Sequence, residues 1–282
     1  MGTIQSNDTL REWRESAPLW EKHAQTIRTI FAPLTGVLIE EARISPGQNV
    51  LDVAGGPGEP SLTVAEVVGS SGSVTCTDAI AEMVSAAESE AHRRGLTNIK
   101  FHQCTADALP FDSNSFDAVV SRLGVMFFPD PLAALREMLR VTKPNGALAL
   151  VVWGRSDANP FLHIVSTVIS HYVETLPADP DAPGAFRFAE PGSLAKVLSK
   201  AGATGVRERL LNFRIEARIS LQEFWELRSE TSATLREKLA ILSAKDRLRV
   251  EEEVKGAARD FFPNHRMSLP AQAIVVAGEK PN

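Results

Sequence analysis

The sequence predicts an α/β fold built on an open, mostly parallel sheet. Short apolar runs alternate with turns and helix-period stretches up to about residue 155, and a glycine-rich turn follows the first apolar run. Alternation of strand and helix is the pattern of βαβ units. With 282 residues, of which 44% are apolar, the chain fits one large domain or one domain with an insertion, and it can bury a sizeable core.

Five strands are read from apolar runs bounded by turns in the first half of the chain. They are predicted at 49–54, 73–78, 99–104, 116–121 and 147–153. The helix after the second strand is the clearest helix, because it presents one apolar face and stops at Gly95. That face holds Ile80, Met83, Val84, Ala87 and Ala91.

After residue 155 longer helical stretches replace the alternation. Helices are predicted at 161–173 and 192–201 and as one charged run at 220–262, strands at 206–215 and 272–277, and a pair of N-terminal helices at about 9–43. We therefore expect an N-terminal helical cap segment, residues 1–44, and a domain of residues 45–282 with a helical cap insertion at about 216–268. Both should cover the carboxyl edge of the sheet, where ligands bind in open α/β folds.

Charge and composition argue against several classes of protein. Lys and Arg total 30 against 35 for Asp and Glu, a formal charge of -5, which disfavours nucleic-acid binding. Two cysteines, Cys76 and Cys104, are too few for a disulfide framework and fit a cytoplasmic location. No run reaches the ~20 apolar residues of a membrane span. No metal site is expected, since no two histidines have ligand spacing.

The first strand ends in Asp52 and runs into a turn of sequence Ala54-Gly55-Gly56-Pro57-Gly58, after which a helix begins near Pro60. Glycines let the backbone approach a ligand, and a helix N-terminus offers free N–H groups. A dinucleotide-binding turn is the rival interpretation. It requires G-x-G-x-x-G, and Ser61 stands at the third position here.

Residues 48–154 resemble the core of class I S-adenosylmethionine-dependent methyltransferases, most closely the ubiquinone/menaquinone-methyltransferase-like branch of small-molecule enzymes. The matching features are Asp52, Gly56, Gly58, Asp78 at the end of the second strand, Asp107 before Leu109-Pro110-Phe111, and Pro144-Asn145-Gly146 before the fifth strand. Ala54 departs from the pattern by replacing the first glycine. The resemblance implies a Rossmann-like seven-stranded sheet with helices on both faces and an antiparallel last strand.

The same resemblance implies S-adenosyl-L-methionine as the cofactor and S-adenosyl-L-homocysteine as its product. Asp52 would lie beside the methionine ammonium group, Asp78 would accept the ribose hydroxyls, and Asp107 would lie near the adenine amino group. For Asp78 a helix-capping role is the alternative, and the two roles can coexist. The expected cofactor-binding residues are Asp52, Ala54, Gly55, Gly56, Gly58, Asp78, Ala79, Met83, Asp107, Ala108 and Ser121.

The expected methyl acceptor is a small, partly apolar molecule. Candidates for its pocket are Trp13, Trp20, Arg122, Phe127 and Phe128, although core packing could explain each aromatic residue, and Arg122 fits a structural ion pair equally well. Methyl transfer is an in-line displacement that depends on positioning, so a general base is optional. His163, His171 and His265 are the candidates for one, and no catalytic residue is assigned.

The predicted function is therefore methyl transfer from S-adenosylmethionine to a small molecule. Two alternatives stay open: a non-catalytic S-adenosylmethionine-binding regulatory protein, and an RNA or protein methyltransferase. The second is weakened by the acidic charge and by Ser121-Arg122-Leu123-Gly124 after the fourth strand, where such enzymes carry Asn- or Asp-Pro-Pro-aromatic. A homodimer is compatible with the sequence.

Overall fold

The computed structural model describes residues 2–174, 179 and 181–282, and for residues 2–8 it describes the backbone alone. Seven strands form one sheet in the order β3-β2-β1-β4-β5-β7-β6. The strands are β1 Asn49–Val53, β2 Ser73–Asp78, β3 Ile99–Gln103, β4 Phe116–Arg122, β5 Thr142–Trp153, β6 Thr204–Ala217 and β7 Met267–Glu279.

Strands β1 to β5 run parallel to one another, whereas β7 pairs antiparallel with both β5 and β6. This confirms the predicted seven-stranded sheet and its antiparallel last strand. The order of strands reverses between β1 and β4. In an open α/β sheet that reversal opens a crevice at the carboxyl ends of the two strands, which is where ligands bind.

Eleven α-helices surround the sheet in the described part of the chain. They are α1 Gly2–Lys22, α2 Ala24–Ile30, α3 Ala32–Glu41, α4 Ser61–Val68, α5 Ala81–Arg94, α6 Pro131–Val141, α7 Pro160–Ser170, α8 Ser193–Ala201, α9 Leu221–Thr231, α10 Ala233–Ala240 and α11 Ala244–Ala258. Within the same residues, none of these helices has both the length and the apolar character that crossing a membrane requires.

The core lies on both faces of the central strands. Consecutive residues 118–120 of β4 and 148–152 of β5 have no exposed surface, and a strand buried at consecutive positions is covered on both faces. Leu34 and Leu38 of α3 are equally buried. The predicted N-terminal pair of helices is thus wrong in one respect: three helices form, and the third belongs to the core.

The helical run predicted at 220–262 is also divided, into α9, α10 and α11. Ser220, Ser232 and Ser243 each accept a hydrogen bond from a backbone N–H three residues on, and each begins a new helix. At the first of them Glu223 completes a capping box. Serine N-caps therefore define three shorter helices between β6 and β7.

Candidate functional site

A cavity of about 460 Å³ opens at the carboxyl ends of β1, β2, β3 and β4. Its sheet side is lined by residues that follow those strands, namely Ala54, Gly55, Gly56, Asp78, Ala79, Asp107, Leu123 and Gly124. Met83 of α5 also lines it. The cavity occupies the crevice where the strand order reverses, and its volume suits a drug-sized ligand.

The turns that end β1 and β4 have an uncommon backbone. Ala54 and Leu123 both have φ 61, and Gly56 has φ 55, all in the left-handed region. For a residue with a side chain this conformation costs about 1–2 kcal/mol. Alanine therefore takes the strained conformation that the first glycine of the motif would adopt freely. The facing Gly124 leaves room for it, because a Cβ there would lie 2.7 Å from the Ala54 Cβ.

Asp78 joins two backbone segments at the cavity wall. Its Oδ2 accepts a hydrogen bond from the Gly56 N–H and its Oδ1 accepts one from the Ile80 N–H, each at 3.0 Å. Burial raises the pKa of Asp78, and the backbone hydrogen bonds oppose that rise. A carboxylate can accept about four hydrogen bonds, so Asp78 keeps capacity for ligand hydroxyls while it holds the glycine turn against α5.

Asp52 does not line this cavity and lies fully buried behind it. Its Oδ2 accepts hydrogen bonds from the Ser61 backbone N–H at 3.0 Å and the Ser61 hydroxyl at 2.6 Å. Burial raises the pKa of Asp52 to about 7, against the hydrogen bonds from Ser61 and the charge of Arg122. The structure thus places Asp52 as the anchor of the first turn of α4.

Three more of the expected cofactor residues lie outside the cavity lining. Gly58 has φ 115 and abuts the core, since a Cβ there would lie 2.6 Å from Leu62 Cδ1. Ala108 is exposed, and its N–H donates to the Thr105 carbonyl. Ser121 is fully buried, and among the described atoms its hydroxyl has no hydrogen-bond partner. The other seven expected residues line the cavity together.

Aromatic rings from α1 and from the turn after β4 form another wall. Trp13 and Trp20 lie two turns apart on α1 and so share a face. The Trp13 ring centre lies 5.1 Å from that of Phe127 and 5.6 Å from that of Trp20, both in edge-on geometry. All three rings and Phe128 line the cavity, where the sequence predicted the substrate pocket.

A charged network that was not predicted from the sequence lines the same cavity. Glu59 forms ion pairs with Arg28 at 3.2 Å and with Arg94 at 3.0 Å, and Arg94 also pairs with Glu90 at 2.6 Å. The i,i+4 spacing of Glu90 and Arg94 on α5 could have predicted their ion pair from the sequence. Glu59 contacts residues far apart from it in the chain, so no local sequence pattern could predict those ion pairs.

Arg122 faces the cavity, but its guanidinium already has protein partners. Nη1 donates to the Thr35 hydroxyl at 2.8 Å and Nη2 donates to the Glu59 carbonyl at 3.0 Å. The guanidinium carbon of Arg122 also lies 5.9 Å from the centre of the Phe31 ring. Arg122 thus ties α3 to the segment before α4 through neutral acceptors, and the structure shows these hydrogen bonds instead of the ion pair that the sequence suggested.

None of the three histidine candidates lines this cavity. His163 Nδ1 lies 2.7 Å from the Ser156 carbonyl oxygen, and His171 and His265 are exposed. No lysine or tyrosine lines it either among the described residues, and burial raises the pKa of the one cysteine, Cys104, to about 11. In the described part of the chain no cluster of three metal-ligating side chains occurs. The site therefore offers shape, hydrogen bonds and charge. Apart from Cys104, its titratable groups are arginines and carboxylates, and Glu59, Asp78 and Glu90 among these already hold arginines or backbone N–H groups.

A second cavity of about 440 Å³ adjoins the first. The two share the rings of Trp13, Trp20, Phe31 and Phe127, and the second continues toward Leu227, Arg228 and Thr231 of α9. Helices α1 and α9 are joined across it, because the Trp20 indole N–H donates to the Thr231 carbonyl at 3.0 Å. The cap helices thus enclose a chamber next to the sheet edge.

The strand order, the antiparallel β7 and the acid-flanked glycine turn at the crevice define a Rossmann-like methyltransferase fold. The particular family follows from the sequence of that core: the model of the ubiE/COQ5 methyltransferase family matches residues 36–177, just over half of the chain. The chain belongs to this family.

Relatives match the same part of the sequence, and a solved structure shares the fold. An uncharacterized protein of Mycobacterium tuberculosis, Rv1405c, is 38% identical over 131 residues, 46% of each chain. The ubiquinone/menaquinone biosynthesis C-methyltransferase UbiE of Cellvibrio japonicus is 40% identical over 118 residues, 42% of this chain and 47% of UbiE. The chain thus spans about half the length of these relatives. The crystal structure of YcgJ from Bacillus subtilis shares the fold, with a TM-score of 0.58 and 24% identity over 89% of this chain and 99% of YcgJ.

Proposed function

We propose that this chain transfers the methyl group of S-adenosyl-L-methionine to a small, partly apolar molecule. The observation that carries the proposal is the pair of adjoining cavities, one against the strand ends and one beneath the cap helices, with aromatic rings between them. One cavity suits the methyl donor and the other suits the acceptor. Membership of the ubiE/COQ5 family supports the same reaction.

The residues of the first cavity fit this cofactor. Asp78 keeps free acceptor capacity for ribose hydroxyls, and the exposed carboxylate of Asp107 suits an amino group of the base. No heavy atom lies within 4 Å of the place where a Cβ of Gly56 would stand, so a ligand can approach the turn closely. When bound, S-adenosylmethionine supplies a methyl group on an electrophilic sulfonium.

The protein's own contribution is positioning and exclusion of water. Trp13 and Phe127 line both cavities, and helix α1 carries Trp13 to the boundary between them. Holding two reactants in line can supply about 7–11 kcal/mol of a barrier. We propose that the acceptor attacks the methyl group without a protein base and loses its proton to water after the new bond has formed. The UbiE of Cellvibrio japonicus is by name a C-methyltransferase.

The location and assembly of the protein are further proposals. Cys76 and Cys104 are both free thiols, which suits the reducing cytoplasm that we propose as its location. A homodimer stays a prediction, and light scattering in solution would test it.

The test combines binding with turnover. Calorimetric titration should show binding of S-adenosylhomocysteine and none of NAD; the opposite result would overturn the cofactor assignment. Protein incubated with methyl-labelled S-adenosylmethionine and a small-molecule extract should place label in the small-molecule fraction. Label in RNA or protein instead, or binding without any turnover, would favour the corresponding alternative and contradict the proposed function.

A further inference from the structure

Arg228 is a buried cation in the wall of the second cavity. Its side chain shares the buried face of α9 with Phe224, Leu227 and Thr231, and the residue is only 9% exposed. Its guanidinium carbon lies 4.8 Å from the centre of the Phe161 ring. Among the described atoms, its Nε has no hydrogen-bond partner, although it is fully buried.

No carboxylate offsets this charge in the part of the chain that the structure describes. Burial lowers the pKa of Arg228 to about 10, with no acidic neighbour to raise it again, so the group stays charged at neutral pH. Removing a charge from water without a partner is costly, and a buried cation is normally paired.

Other arginines around the site have hydrogen-bond or ion-pair partners for their guanidinium groups. Arg94 pairs with three glutamates, and Arg122 donates to a hydroxyl and a carbonyl. Arg236, in the neighbouring α10, donates to the Glu230 carbonyl and to the Ser16 hydroxyl at 2.7 Å. Arg228 differs from all three, because within the described residues no hydrogen bond or ion pair holds its guanidinium and the residue lines a cavity. Its Nε is enclosed by protein, so the two terminal nitrogens are the donors that a ligand in the cavity can reach.

The two cavities place the Arg228 guanidinium next to the proposed site of methyl transfer. It lines the second cavity and not the first, and the two cavities meet at Trp13, Phe31 and Phe127. An anionic group bound at Arg228 would therefore belong to a molecule whose apolar body lies among these rings. A guanidinium forms two parallel hydrogen bonds with a carboxylate, which gives both affinity and orientation.

We propose that Arg228 binds the carboxylate of the methyl acceptor, so that the substrate class is a flat, apolar carboxylic acid. The assignment of this molecule as acceptor rests on the proposed function, whereas binding of the carboxylate does not. Arg228 would then select an anionic substrate and hold it beside the methyl donor.

The test compares 2-naphthoate with 2-naphthamide, a neutral molecule of nearly the same shape, by calorimetric titration of the full chain. Wild-type protein should bind 2-naphthoate about tenfold or more tightly than 2-naphthamide. The preference should disappear in Arg228→Met and survive in part in Arg228→Lys. Arg247→Met, which removes an exposed arginine of α11, should keep the full preference.

Two control measurements separate this proposal from others. The melting temperature of Arg228→Met should stay the same or rise, because the variant removes an uncompensated buried charge; a lower melting temperature with an unchanged naphthoate preference would overturn the proposal. So would equal binding of the two probes by wild-type protein. Failure of S-adenosylhomocysteine to bind would contradict the proposed function alone, since the naphthoate preference is measured without it.

Discussion

Replacing Asp52 by asparagine tests the electrostatics behind the glycine turn. In Asp52→Asn the amide oxygen can still accept the two hydrogen bonds from Ser61, but the side chain cannot ionise. In the wild type, burial raises the pKa of Asp52 from 3.8 to about 7. The folded protein therefore holds this proton more tightly than the unfolded chain does.

The sign and size of the effect follow by linkage. The stabilising contribution of protonated Asp52 is complete below about pH 4 and is lost as the pH rises through about 7. The difference between the two pKa values corresponds to roughly 4 kcal/mol, of which roughly 2–3 kcal/mol is lost between about pH 5 and about pH 8. Asp52→Asn has no group that ionises at this position and should not lose this stability. Its free energy of unfolding relative to the wild type should therefore rise by roughly 2–3 kcal/mol between about pH 5 and about pH 8.

Urea unfolding at a series of pH values measures the effect, with the free energy of unfolding extrapolated to water. Asp117→Asn is the matched control. Burial acts to raise the pKa of Asp117, but Lys143 and the Asn49 N–H outweigh it and lower that pKa, so this carboxylate is ionised in both states from pH 5 upward. The difference in free energy of unfolding between Asp117→Asn and the wild type should therefore not change with pH. If the difference for Asp52→Asn did not change with pH either, the reasoning would be refuted.

Three more outcomes are expected. Asp78→Ala should weaken S-adenosylhomocysteine binding by about 10- to 100-fold in calorimetry, since it removes charge-assisted hydrogen bonds; unchanged affinity in a folded variant would leave Asp78 only its role in the turn. Hydrogen exchange should slow in Trp13–Ala32 and Ser220–Phe262 when S-adenosylhomocysteine and an acceptor bind; slowing confined to the glycine turn would make the cap a permanent packing surface. Gly58→Ala should lower the melting temperature, because the backbone is left-handed and Leu62 blocks the Cβ; a loss of cofactor affinity without destabilisation would return Gly58 to the binding site.

Strand ends and turn residues could be predicted from the sequence because short stretches of neighbouring residues determine them. Apolar runs bounded by turns predicted the first five strands, and later runs at 206–215 and 272–277 predicted the other two. Ala54, Gly56 and Asp78 line the cavity because they lie at the ends of parallel strands whose carboxyl ends meet at one edge. The serines that divide the cap into three helices were also visible as capping signals, although the charged run between them hid the breaks.

The tertiary structure alone decided what those residues touch. The sequence places Asp52 near the end of the first strand, whereas only the fold shows that Ser61 at the start of α4 binds its carboxylate and that Asp52 lies outside the cavity lining. The pairing of Glu59 with Arg28, and the placement of Arg228 in an aromatic chamber, join segments that no periodicity links. Hydrophobic periodicity in the sequence predicts which face of a helix or strand is buried. Which segment packs against that face depends on the tertiary structure, as in the hydrogen bond between Trp20 and Thr231, which are 211 positions apart.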